Sequence, residues 1–174
     1  MEKVLSALAV SVLSLVATAS FAQSAAPSDA QIAGIVVAAN TVDVEAGKLA
    51  KSKSKTKEVK EFAQLMITDH TGVNKQAGAL VKKLKVTPEE SDTSKSLKAS
   101  GAETMAKLKG LNGKAFDKAY VDSEVAYHQT VMDALDKTLV PSAQNAELKA
   151  LLVKVRPAFV AHLEHAKGMQ SSMK

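Results

Sequence analysis

Residues 57–85 read KEVKEFAQLMITDHTGVNKQAGALVKKLK. Apolar residues return in alternating four- and three-residue steps through Val59, Ala63, Met66, Val73, Ala77, Leu80 and Leu84. That is the period of an amphipathic helix buried along one stripe. At about 1.5 Å per residue the stretch predicts a rod of about 44 Å. One position in the stripe is not apolar, and it is His70.

The same period extends in both directions. Further helices are predicted over about 29–52, 89–109, 114–139 and 143–171. Thr56 suits the N-cap of the 57–85 helix, and Val86-Thr87-Pro88-Glu89-Glu90 ends it and starts the next. Gly110-Leu111-Asn112-Gly113 is a turn, and Pro141-Ser142 a break. Pro157 should bend the last helix. Four long helices, with a shorter and more polar one between the second and third, make two hairpins joined by a crossover. The expected fold is therefore all-α, a ferritin-like four-helix bundle with an additional shorter crossover helix. A helical solenoid is the alternative, but no internal repeat supports it.

Composition narrows the chemistry. The chain has 174 residues, 46% of them hydrophobic and 3% aromatic, with no Cys. Disulfide scaffolds, Cys-ligated metal sites and thiol enzymes are excluded. Any metal site is limited to Glu, Asp, His and Met. No serine lies in a strand–turn–helix elbow, so no nucleophile stands out and an enzyme is not indicated.

Val4 to Ala19 form an apolar run, followed by Ser20-Phe21-Ala22-Gln23. Small residues at 20 and 22 suit a signal peptidase, so 1–22 reads as a signal peptide and 23–28 as a flexible leader. The bundle domain is expected over 29–171, periplasmic or secreted, with no transmembrane span in the mature chain. The net charge is +5, and Lys48, Lys51, Lys53, Lys55, Lys57 and Lys60 crowd the first hairpin turn. A solvated face is the ordinary meaning of such a run. Attraction to anionic envelope polymers or lipid headgroups is the functional one. With one Arg and no recognition motif, nucleic acid is not an expected partner.

Each long helix carries one polar residue in its apolar stripe. Helix 1 reads Ile35, Ala38, Val42, Glu45, Leu49, and helix 4 reads Val121, Val125, His128, Met132, Leu135, Leu139. Helix 5 reads Leu148, Leu152, Val155, Phe159, His162, Ala166, Met169. The four exceptions are Glu45, His70, His128 and His162. A buried unpaired carboxylate or imidazole costs several kcal/mol, so four in one core point to mutual partners. Glu and His directed into a bundle are metal-ligand chemistry, for which iron, zinc or copper are the candidates. The alternative is a hydrogen-bonded Glu–His network without metal. Secondary candidates are Asp69, Asp122, Glu124, His165, Met66 and Met132. Counting along the helices sets Glu45 and His162 about 10 Å nearer the first hairpin turn than His70 and His128. One site or two remains open on that count.

Several pieces carry a resemblance. They are Val44-Glu45-Ala46-Gly47-Lys48-Leu49-Ala50, Glu58 to Met66 followed by Asp69-His70, and Ala115-Phe116-Asp117-Lys118-Ala119-Tyr120. Tyr127-His128-Gln129 and His162-Leu163 followed by Ala166 continue it. Over about residues 28–170 the chain resembles the exported bacterial family called domain of unknown function 4142. The resemblance implies a ferritin-like bundle, secreted or periplasmic, with Glu45, Asp69, His70, His128 and His162 at recurring polar positions. It implies no established activity. The paired Glu-x-x-His motifs of di-iron oxidases are absent, since Val125 and Phe159 stand three before His128 and His162. The expected function is metal holding or stress protection. The alternative is a structural or interaction protein of the cell envelope.

Overall fold

The computed structural model describes residues 26–173, and these are all-helical. The expected signal peptide at 1–22 and the start of the leader lie outside the described residues. Helix α1 spans Asp29–Lys53, α2 Lys57–Leu84, α3 Asp92–Gly110 and α4 Gly113–Ala134. A π-helical turn, Leu135–Leu139, continues α4 into the short α5, Val140–Ser142, and α6 spans Ala146–Ser172. Among the described residues, no helix is long and apolar enough to cross a membrane.

Local chemistry sets the ends. Ser28 and Gln31 form a reciprocal capping box at α1, and Ser91 and Ser94 form another at α3. Glu89 donates its N–H to Ala30 O at 2.9 Å. Glu89 is thus tied to α1 and Ser91 serves as the N-cap, so α3 starts at Asp92 rather than at 89. Asn145 accepts from the N–H groups of Glu147 and Leu148 and delays α6 to Ala146. Pro157 lies inside α6 on its exposed face, and the helix runs on through it to Ser172.

The long helices form two hairpins, α1 with α2 and α4 with α6, while α3 lies against α1. Contacts at each end fix the topology. Thr56 Oγ1 donates to Asp117 Oδ2 at 2.5 Å, which sets the starts of α2 and α4 side by side. At the far end Asp29 accepts from the N–H groups of Gln144 and Asn145, both at 2.9 Å. Helices α2 and α4 therefore run parallel, with α3 as the crossover.

Close approach depends on two glycines. A Cβ on Gly34 would run into the Glu89 carbonyl, and one on Gly101 into Val42. A helical Gly→Ala change ordinarily gains up to about 1 kcal/mol. Gly34→Ala is expected instead to cost about 1–3 kcal/mol, because backbone must move. Urea denaturation of the variant tests this; a gain in stability would mean that α1 does not touch this loop.

Two apolar clusters fill the bundle. One, near the α3 start, includes Ile32, Val73, Met132, Leu139, Leu152 and Phe159. The other, near the first hairpin turn, includes Ala50, Phe62, Met66, Phe116, Tyr120 and Met169. The buried polar residues of the long helices' middles lie between them.

Candidate metal centre

His70 of α2, His128 of α4 and His162 of α6 meet in this middle layer. Their ring centroids stand 5.3–5.5 Å apart, and each residue is no more than 3% exposed. The three predicted histidines are thus together, and the expected axial offset of His162 is closed. Cβ bonds tilt toward the N-terminus of their own helix. In antiparallel α2 and α6 the two side chains therefore lean toward each other.

Glu45 is not among them. It is exposed, on the side of α1 that faces α3. The α1 contribution is Asp43, 1% exposed, together with the buried Asn40. Asp43 Oδ2 stands 3.2 Å from His70 Nε2 and 3.6 Å from His128 Nε2.

The second nitrogen of each ring fixes its tautomer. Asn40 Nδ2 donates to Val36 O at 2.7 Å, so its Oδ1 is the atom facing His70 Nδ1 at 2.7 Å. Only an N–H at Nδ1 satisfies that contact. His128 Nδ1 faces the Glu124 backbone carbonyl at 3.0 Å, and His162 Nε2 faces Asp69 Oδ2 at 2.9 Å. Both must likewise carry hydrogen. The lone pairs are left on His70 Nε2, His128 Nε2 and His162 Nδ1. All three atoms are buried without a hydrogen-bond partner among the described residues, as are both carboxylate oxygens of Asp43.

Such atoms are costly unless something joins them. One ligand atom from each histidine lies within 4.8 Å of the other two, and Asp43, Glu124 and His128 converge equally closely. Tetrahedral bonds of about 2.0–2.1 Å place ligand atoms about 3.3 Å apart. The Asp43–His70 and Asp43–His128 separations bracket that value, and His162 joins through the three-histidine group, which shares His128 with the Asp43 group. Three imidazoles and a carboxylate fit a borderline divalent ion, with Asp69, Asn40 and the Glu124 carbonyl as the outer partners that orient the rings.

The electrostatics agree with a cation-seeking site. Burial, and then the Glu124 charge, push the Asp43 carboxyl well above its usual range. Burial and the neighbouring His128 and His162 hold His70 well below the ordinary imidazole value. Burial also lowers His162, against the opposing hydrogen bond that it donates to Asp69. Burial acts to lower His128 too, but the Glu124 hydrogen bond and the Asp43 and Glu124 charges outweigh it, so its pKa is raised. Without a metal, the positive charge this layer favours is a proton on His128.

Of the remaining candidates, Glu124 and Asp69 belong to the layer and the others do not. Glu124 is 3% exposed, and its Oε2 lies 3.4 Å from His128 Nδ1. Asp69 reaches His162 from a half-buried position. Asp122 is paired with Lys118 and Gln170 near the surface. His165 is exposed and packs edge-on against Phe62. Met66 and Met132 are buried in the two apolar clusters. A cavity of about 60 Å³ between α1, α3 and α4 reaches Asp43 and Glu124 past Ser123, Thr104 and Tyr127.

Residues 15–169 match the model of a family described as Domain of unknown function (DUF4142). No curated protein and no solved structure matches the chain.

Proposed function

The chain belongs to this family of unknown function, and we propose, from its own side chains, that it holds one divalent transition-metal ion through Asp43, His70, His128 and His162. One observation carries the reading: three buried imidazoles converge within 4.8 Å and a buried carboxylate stands against two of them, with a nitrogen of each ring and the carboxylate unpartnered while each ring's other nitrogen is anchored. The donor set suits zinc, iron or copper. The role is holding or stress protection rather than turnover, and it is exercised after export. The apolar Val4–Ala19 run with small residues at 20 and 22 supports export.

Chelator-treated protein, titrated with zinc, iron(II) and copper(II), is expected to take up one equivalent of at least one of them. Its melting temperature should rise with free metal, since only the folded chain presents the site. Cobalt(II) should give the visible absorption of a four-coordinate N/O site. No uptake of any of these ions, with an unchanged melt, would sink the proposal.

A second reading rests on the exposed Lys48, Lys51, Lys55, Lys57 and Lys60 around the first hairpin turn. Of these, Lys57 has an ion-pair partner, Glu61 at 3.7 Å. It predicts salt-sensitive binding to anionic vesicles, lost when Lys51, Lys55, Lys57 and Lys60 become Gln.

A further inference from the structure

The apolar cluster near the start of α3 is not filled. A cavity of about 410 Å³ opens there between α1, α3, α4 and α6. Its walls are aliphatic and include Leu135, Leu139, Leu152 and Val155, and its floor is Phe159. The π-helical turn Leu135–Leu139 forms part of the wall, and such turns recur where a helix has been widened at a functional site. An apolar cavity of about 150 Å³ takes up benzene, so this one has room for about ten to sixteen carbon atoms.

Polarity is confined mainly to the mouth. There the first turns of α3 present Asp92, Thr93 and Ser96, and α4 presents Thr130. Asp92, Thr93, Ser96 and Thr130 are exposed, and among the described residues no basic side chain lines the cavity. The one charge at the opening is a carboxylate, which repels an anionic headgroup and attracts a cationic one.

We propose that this cavity binds a small neutral or cationic amphiphile, its alkyl body against Leu135, Leu152 and Phe159 and its head at Asp92, Thr93 and Ser96. The occupant would sit directly behind the histidine layer. Phe159 stacks flat on the His70 ring at 5.0 Å and 9°, and Asn40, which anchors His70, also lines the cavity. The cavity does not rest on the metal reading, and each stands if the other fails.

The test uses the full chain after chelator treatment and the neutral fluorophore N-phenyl-1-naphthylamine. Saturable one-to-one binding is expected, displaced by decylammonium and decanol at least tenfold better than by decanoate. Thr130→Phe and Ser96→Phe, at exposed positions on two sides of the mouth, should each weaken the dye at least tenfold with an unchanged melt. Asp92→Asn should raise decanoate to the affinity of decanol. Absence of saturable binding overturns the site, as does binding that both folded Phe variants leave intact. Decanoate competing as well as decylammonium overturns the assigned head.

Discussion

Asp43→Asn is expected to weaken metal binding at least a hundredfold and yet leave the metal-free bundle as stable as the wild type, or more so. Asp43 is the only acidic residue of α1 in the buried layer, and its loss removes the one anionic ligand of the set. Losing a residue that only orients a ligand costs about 10–100-fold in affinity, so losing a ligand should cost more. Stability moves the other way because the metal-free carboxylate is buried with neither oxygen hydrogen-bonded. An isosteric amide keeps the volume and carries no charge for burial to penalise at any pH. Glu45→Gln is the matched control, expected to change neither quantity because Glu45 is exposed. Isothermal titration with zinc, beside urea denaturation in chelator, measures both. Wild-type affinity in Asp43→Asn, or loss of affinity in Glu45→Gln, would return the site to the sequence pattern and away from the geometry.

That contrast marks where the sequence was legible. Helices α2, α4 and α6 each bury one dominant stripe, so a three/four period locates His70, His128 and His162 without coordinates. Helix α1 does not behave this way. It packs on α2 along one side and receives α3 along the other, and it buries Ile35, Val36, Ala38, Ala39, Asn40, Asp43, Ala46 and Gly47. Small apolar residues cover so much of its circumference that several stripes fit equally well. The stripe through Glu45 runs one face away from the stripe Val36, Asn40, Asp43, Ala46 or Gly47, Ala50. The usable signal was Asn40 with Asp43, two polar residues three apart in an otherwise small and apolar stretch. The tautomers were beyond reach, because each depends on a partner that is a backbone carbonyl or lies on another helix. The π-helical turn was also hidden, since Leu135–Leu139 reads as ordinary helix and its widening answers to a cavity made by four elements.

The pH profile of the metal-free protein should be a peak near pH 6.5, falling on both sides. The groups facing one another in the layer are Asp43 from α1, His70 from α2 with Asp69 at its edge, Glu124 and His128 from α4, and His162 from α6. His70 and His162 have folded pKa values below the ordinary 6.5. Between the lowered and the ordinary value the unfolded chain holds protons that the folded chain refuses. Their contribution is complete above about pH 6.5 and is lost as pH falls, by about 1.4 kcal/mol per pH unit for each proton. Asp43, raised, works in the opposite direction, because the folded chain keeps a proton that the unfolded chain has released above its ordinary 3.8. Two imidazoles against one carboxyl leave a net loss on the acid side. Above pH 6.5 the imidazole pair falls silent and His128 takes over. Its folded value is raised, so its stabilisation is present below 6.5 and disappears as pH rises through the folded value. The carboxylates held low elsewhere, Glu90, Asp122 and Asp136, titrate below this range and leave the peak unchanged. Saturating zinc should invert the alkaline limb. The ion takes the place of the His128 and Asp43 protons, so its affinity climbs as those protons become easier to remove. Urea midpoints from pH 5 to 8.5, with chelator and with zinc, should therefore diverge as pH rises. His128→Gln should make the metal-free alkaline limb shallower and leave the acid limb in place. Parallel profiles with and without zinc would mean that no proton in this layer gives way to a metal.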